Sequence, residues 1–349
     1  MARSYQVDGL TLSRGSAAIR DLVRDLQRDL RALGYLRAGI DGDFGSGTES
    51  AVCALQYDLT HAASYPTSRD GPPPVRISDY NRGRIAAVTG ALDQNLAACL
   101  DDLMTDDKVP KLPSATDPAG ENRRAVGLIT GMANTAAPAP FILAMMLQES
   151  GGQHYRVPSG RDEDNFVVVG LDRNSEKEPH RITSRGYGIG QYTIFHHPPR
   201  SEEVAGFIAD PMGNISKAFG ELRQKFGRFV TGPDDRADDR DAEHPMLDLR
   251  ECKYARSDPL FMRDCRRCAE LAGKRDIEAG MPVYAGASTT YQTTQYYASA
   301  SYSGVPVRAD FLCDWPYAMR RYNGSGVNSY HYQARVLLNL LSRAIVPGS

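Results

Sequence analysis

Pro140-Phe141-Ile142-Leu143-Ala144-Met145-Met146-Leu147-Gln148-Glu149-Ser150-Gly151-Gly152 is apolar on every side for seven residues and then turns abruptly polar. Pro140 suits a first helical turn, where its missing N–H costs nothing. A helix that is apolar all round is a buried one, and the paired glycines end it. Glu149 therefore falls in the last turn of a buried helix. Two effects are expected to raise its pKa. Apolar surroundings disfavour the charged carboxylate, and so does the partial negative charge of a helix C-terminus. A carboxylic acid that keeps its proton near neutral pH can protonate a leaving oxygen. Taken alone, the same position also reads as a glutamate that merely emerges into solvent at a helix end.

Two downstream stretches bear on that choice. In Gly186-Tyr187-Gly188-Ile189-Gly190-Gln191-Tyr192, alternate glycines let a ligand approach the backbone closely, and Gln191 offers both a donor and an acceptor. Alone, this stretch reads as a tight turn. Arg321-Tyr322-Asn323-Gly324 is a turn with a hydroxyl able to reach a carboxyl group. It precedes a last helix, expected over about 330–344, with Val336, Leu337, Leu340 and Leu341 on one face.

In this order the three stretches resemble the soluble lytic transglycosylase family, related to goose-type lysozymes, over about residues 125–341. The resemblance implies an α-rich lysozyme-like domain. It makes Glu149 the catalytic acid/base, Ser150, Gly188, Ile189, Gln191 and Tyr192 the lining of a glycan cleft, and Tyr322 and Asn323 the pair that positions the glutamate and the substrate. The implied reaction cleaves the β-1,4 bond between N-acetylmuramic acid and N-acetylglucosamine and closes a 1,6-anhydro ring, with no metal or cofactor. Gly190 stands where the family usually has Met, and Thr193 follows where the lysozyme group offers an Asp. A hydrolytic muramidase would need a second carboxylate to hold water. Asp162, in a charged loop, is the candidate. A non-catalytic wall-binding structural protein remains the alternative from another class.

Upstream, residues 15–103 read as a small helical unit. Ile19, Leu22, Val23, Leu26, Leu30 and Leu33 recur at three- and four-residue steps, with Ser16 as N-cap and Gly34 just past the end. A turn-rich run, Gly39 to Gly45, leads to a second helix with Val52, Leu55 and Leu59, expected to be capped by Thr48. A third helix carries Leu92, Leu96, Leu100 and Leu103. Val23 to Gln27, Leu33-Gly34-Tyr35, Asp41-Gly42-Asp43-Phe44-Gly45, Thr48 and Leu55-Gln56 together resemble a three-helix, repeated-motif peptidoglycan-binding domain. In its second half, Val88-Thr89-Gly90-Ala91-Leu92 stands in place of the usual repeat of the turn. Asp41, Gly42, Phe44 and Gly45 carry the motif. Turn chemistry accounts for these residue types, and wall binding is what the resemblance adds. The expected organisation is mainly α: a peptidoglycan-binding domain over 1–103, a Pro-containing polar linker over 104–120, and a lysozyme-like domain over 121–349.

Composition sets outer limits. The chain has 349 residues, 41% hydrophobic and 24% charged, with a net charge of −2, as in a globular protein of two domains. No basic stripe with interleaved aromatics points to nucleic acid, and no unbroken apolar span points to a membrane crossing. The expected partner is the glycan of peptidoglycan, with an immunity or delivery protein as a further partner class. No signal peptide opens the sequence, so the expectation is action in the periplasm or on the cell wall after delivery by a phage or a specialised secretion system. Six cysteines, Cys53, Cys99, Cys252, Cys265, Cys268 and Cys313, favour disulfides over a zinc site formed by the last four. His196-His197-Pro198-Pro199 reads as a surface turn, and Thr231 to Pro245, rich in Asp and Arg, as a solvated loop.

Overall fold

The computed structural model describes residues 3–15, 19–61, 71–131, 137–230, 252, 254–263, 265, 311–324 and 327–342. Its helices are α1 (Arg20–Ala32), α2 (Ser46–Thr60), α3 (Gln94–Thr105), α4 (Pro118–Gly131), α5 (Ala139–Ser150), α6 (Ser201–Glu203), α7 (Pro211–Phe229), α8 (Trp315–Asn323) and α9 (Val327–Ser342). A single antiparallel sheet of three short strands, β1 (Val169–Asp172), β2 (Ser184–Tyr187) and β3 (Tyr192–Ile194), completes the described secondary structure apart from two short helical turns. The fold is thus mainly α. By its contacts the chain forms two compact units, Met1–Asn122 with Gln153–Asn214, and Arg123–Gly152 with Ile215–Ser349.

In the first unit, Val23, Leu26 and Leu30 of α1 and Val52, Leu55 and Leu59 of α2 are buried in one core with Leu96, Leu100 and Leu103 of α3. The helix ends depart from expectation. Arg20 opens α1, Ile19 at the N-cap is 66% exposed, and Ser16 lies outside the described residues. Gly45, not Thr48, precedes the first turn of α2. The Thr48 hydroxyl is drawn inward instead, accepting from Gln27 Nε2 at 3.0 Å. Leu92 lies ahead of α3, whose N-cap Asp93 accepts from the Leu96 amide at 2.8 Å. Beyond α1, the Gly34 and Tyr35 amides return to the carbonyls of Arg31 and Leu30, both at 2.9 Å, the hydrogen-bond pattern that closes many helix C-termini.

Residues 104–120, read as a linker, are hydrogen-bonded within this unit. The Leu112 amide meets the Ala32 carbonyl at 2.7 Å and the Val167 amide meets the Pro113 carbonyl at 3.0 Å. Arg31 and Asp164 form an ion pair with both side chains wholly buried. Burial pushes Asp164 up and Arg31 down, and each charge opposes the shift of the other. In the sheet, Gly170 of β1 faces Gly186 of β2, which faces Thr193 of β3. His196 and His197 are 1% exposed, so the expected surface turn is an interior one. His196 Nε2 bonds Glu203 Oε2 at 2.8 Å, and the His197 ring meets Tyr35 edge-on at 4.9 Å. Burial, with the charges of Arg185 and His196, holds His197 well below the usual histidine value.

In the second unit, α9 packs along α5 and α8. Val336, Leu337 and Leu340 are buried there, and the Trp315 ring of α8 packs at a tilt against that of Phe226, with centroids 4.4 Å apart. The last helix starts three residues earlier than its apolar pattern suggested. Cys53 and Cys99 are buried free thiols, which corrects the expectation of disulfides at these two positions. Each fills its core as a small apolar side chain, and burial pushes both thiols up. Cys268 and the Thr231 to Pro245 stretch lie outside the described residues. Among the described residues no helix is long and apolar enough to cross a membrane, and no group of three metal-ligating side chains occurs.

Candidate functional site

Phe141 to Met146 bury α5 on every side. The helix ends where Gly151 and Gly152, both left-handed, return their amides to the carbonyls of Leu147 and Met146, each at 3.1 Å. This leaves Glu149 half-buried in the last turn. Its Oε1 accepts a hydrogen bond from Tyr332 Oη at 2.5 Å. Tyr332 is 5% exposed on α9, and its ring stacks with that of Tyr322 at 6.3 Å and 24°. Burial, then the negative charge of Glu149 and the neighbouring Tyr322, push the Tyr332 hydroxyl well above the ordinary tyrosine value. The hydroxyl therefore keeps its proton, and its role is that of a fixed donor.

The second unit thus brings Glu149, Tyr332 and Tyr322 together. Ser150 turns its hydroxyl onto the Met146 carbonyl at 3.0 Å, and Asn323 is exposed at the end of α8. Sequence reasoning missed Tyr332. Its signal was helical phase, since residues 332, 336 and 340 share one face of α9.

Gly188, Ile189 and Gln191 lie in the turn between β2 and β3 in the first unit, and Tyr192 opens β3. Gly188 has φ +70°, and a Cβ there would lie 2.6 Å from the buried His154 ring, so only glycine fits. The Ile189 amide donates to His154 Nδ1 at 3.3 Å, and His154 Nε2 meets the Ile208 carbonyl at 2.9 Å. A proton on Nε2 satisfies both bonds. Asn214 accepts from the Gly190 amide at 2.8 Å and donates to the Tyr187 carbonyl at 2.8 Å. Gln191 folds back so that Nε2 meets the Gly188 carbonyl at 2.7 Å, and Tyr192 packs edge-on against Phe207 at 5.0 Å. His154 and Asn214, which hold this turn, had no signal of their own in the sequence.

Asp162, the candidate second carboxylate, also belongs to the first unit. Oδ1 accepts from the amides of Ile40 at 2.8 Å and Asp164 at 3.0 Å, and Oδ2 from Arg156 at 3.1 Å. Burial pushes its pKa up, but those two amides and Arg156 outweigh it and hold the carboxyl below the usual value. Asp162 braces the loop that enters the Asp41 turn.

In that turn, Gln27 of α1 is the hub. Its Nε2 donates to Asp41 Oδ1 at 2.9 Å and to the Asp43 carbonyl at 3.1 Å, and its Oε1 accepts from the Gly42 amide at 2.8 Å. Asp41 Oδ1 also takes the Asp43 amide at 2.9 Å. Phe44 is buried in the core, and Gly45 becomes the N-cap of α2. The model of the peptidoglycan binding domain family matches residues 20–60, which span this hub and both helices around it. The chain carries a peptidoglycan-binding domain. No curated protein and no solved structure matched the chain.

The same core contains a second copy of the hub, in the stretch that stands in the sequence in place of the turn's repeat. Gln56 of α2 donates to Thr89 Oγ1 and to the Ala91 carbonyl, both at 3.0 Å, and accepts from the Gly90 amide at 2.9 Å. Gly42 and Gly90 share a left-handed φ, +79° and +72°. Thr89-Gly90-Ala91-Leu92-Asp93 therefore repeats Asp41-Gly42-Asp43-Phe44-Gly45, with Asp93 as N-cap of α3 in the place of Gly45.

Proposed function

We propose that the chain cleaves the glycan strands of peptidoglycan at the bond between N-acetylmuramic acid and N-acetylglucosamine, with Glu149 as acid and then base. One observation carries the reading: in a chain with a peptidoglycan-binding domain, a glutamate at the end of a buried helix is held by a buried tyrosine hydroxyl that keeps its proton. In its protonated form Glu149 gives its proton to the glycosidic oxygen as the C1–O bond breaks, leaving an oxocarbenium-like sugar. The carboxylate left behind takes the proton of that sugar's C6 hydroxyl, whose oxygen closes on C1 as a 1,6-anhydro ring. The glutamate ends in the protonation state in which it began. Tyr332 fixes the carboxyl rotamer through both transfers, an advantage of preorganisation. The site of action is the periplasm or the wall itself.

Mass spectrometry of fragments released from purified sacculi tests this. Anhydro ends are expected. Fragments heavier by one water identify a muramidase that activates water instead. Retention on sacculi with no fragment released identifies a wall-anchoring protein and overturns the catalytic reading.

A further inference from the structure

The first unit holds a cleft of about 490 Å³ between the first turns of α2 and the end of β1, lined by Tyr35, Arg37, Ser46, Ser50, Leu171 and Arg173 among others. Its charge is one-sided. Arg37 is exposed and, among the described residues, its guanidinium meets no carboxylate. Arg173 donates to the Ser50 hydroxyl and carbonyl and likewise meets none. The two are close enough to repel: burial, then the charges of Arg185 and Arg37, lower the Arg173 pKa. Arg185, 2% exposed, stands with its guanidinium 5.2 Å from the centre of the Tyr35 ring. It bonds the Gly34 carbonyl at 3.0 Å, and its nearest acid, Asp58, is 3.8 Å away.

The other surfaces of the cleft suit the same kind of guest. Ser46 and Gly47 of the first turn of α2 line it, and no side chain caps that turn. Helix N-termini favour anions. Glu49, the acid of that turn, pairs with Arg14 at 3.4 Å. Tyr35 and Leu171 add an aromatic and an aliphatic wall. In a chain of net charge −2, a cleft of this size with two unmatched guanidiniums is a local exception that attracts anions.

We propose that this cleft takes a carboxylate of the peptide stems of peptidoglycan, with Arg37 and Arg173 pairing the carboxylate and Tyr35 and Leu171 covering the alkyl part of the same residue. The glycan of N-acetylated sugars has no comparable density of free carboxylates, so the domain holds the wall by its stems. Arg173 and Leu171 lie outside the residues 20–60 of the family match, so the site joins that domain to the sheet of its own unit. The inference rests on wall binding and does not require catalysis by Glu149. An anionic guest has a second source in many walls, the phosphates of teichoic acids, which share the charge but lack the stem's side chain.

The test is sedimentation of the full chain with three preparations: intact sacculi, sacculi stripped of teichoic acid by hydrofluoric acid, and sacculi whose stem carboxylates have been converted to neutral amides with a carbodiimide and methylamine, which leaves the cross-links in place. The parent is expected to bind the first two alike and the third about tenfold more weakly. Arg37→Glu is expected to bind all three at that weak level with an unchanged Tm, because Arg37 serves the fold through its backbone carbonyl, which accepts from Arg31 and survives the substitution, and its side chain is exposed. Arg37→Glu/Arg173→Glu is expected to do the same, with a shallower salt dependence than the parent. Equal parental binding to intact and carboxyl-amidated sacculi overturns the proposal, as does an Arg37→Glu variant that binds intact sacculi like the parent. Loss that follows teichoic acid removal assigns the cleft to phosphate and overturns the carboxylate. Failure of the parent on every preparation is the separate failure of wall binding itself.

Discussion

Gln27 and Gln56 play the same part in two turns that share almost no side chains. Each amide oxygen accepts from the amide of a left-handed glycine, and each amide nitrogen reaches a side-chain oxygen and a carbonyl of the same turn. Both glutamines are buried, at 1% and 2% exposure. Removing either strands several buried polar groups at once, each costing about 1–3 kcal/mol. Gln27→Ala and Gln56→Ala are therefore each expected to lower unfolding stability by about 3 kcal/mol in urea titrations of the full chain. Truncating a solvent-exposed side chain on α1 or α2 would cost less than about 0.5 kcal/mol.

The repeat explains why part of the domain was legible and part was not. Leu26-Gln27 and Leu55-Gln56 stand in plain sequence, and so does Asp41-Gly42. Thr89-Gly90 marks the place of the repeat but not its chemistry, because threonine supplies through Oγ1 the acceptor that aspartate supplies through Oδ1, and the segment between Gln56 and Thr89 is longer than that between Gln27 and Asp41. Helical periodicity placed α1, α2, α3 and α9, and an all-round apolar run between Pro140 and the paired glycines placed α5. It could not place Ile19 outside, because a residue one step before a helix continues its pattern without its burial. His196 and His197 read as surface because adjacent polar residues before prolines usually are; in the fold, Tyr35 and Glu203 take up their rings. Tyr332 was hidden for another reason: a tyrosine in phase with buried leucines looks like core until a carboxylate is found against its hydroxyl.

Tyr332 and Glu149 sit 183 positions apart in the chain and share one short hydrogen bond. Tyr332→Phe keeps the ring beside Tyr322 and removes only the oxygen. If the hydroxyl orients the acid, kcat for release of soluble fragments is expected to fall about 10- to 100-fold with KM for sacculi little changed. A role confined to packing would leave kcat at the parental value, since the phenyl ring fills the same space.

Arg31 and Asp164 are both fully buried, and the cost of breaking such a pair exceeds the value of having it. Arg31→Met leaves a buried carboxyl partly paired by Arg156 at 2.8 Å and is expected to cost about 3–5 kcal/mol. Arg31→Met/Asp164→Leu is expected to recover part of that loss. Denaturant titration of the two variants decides it, and a double variant less stable than the single one would contradict the buried-charge explanation.

Asp162 gives a pH signature. Its folded pKa lies below the ordinary value of 3.8, so its stabilisation is present above about pH 4 and is lost as pH falls through the folded value. Asp162→Asn is expected to lower Tm at pH 7, with the gap to the parent closing toward pH 3. A gap of constant size across that range would show that the carboxylate charge contributes nothing.

The proton assigned to Glu149 is tested by comparing the parent and Glu149→Gln on the same purified sacculi, measuring soluble fragments released and protein bound. The variant is expected to bind as the parent does and to release fragments at least about 100-fold more slowly, since glutamine fills the same space and still accepts from Tyr332 but has no proton to give. Digestion by Glu149→Gln at the parental rate would contradict the assignment.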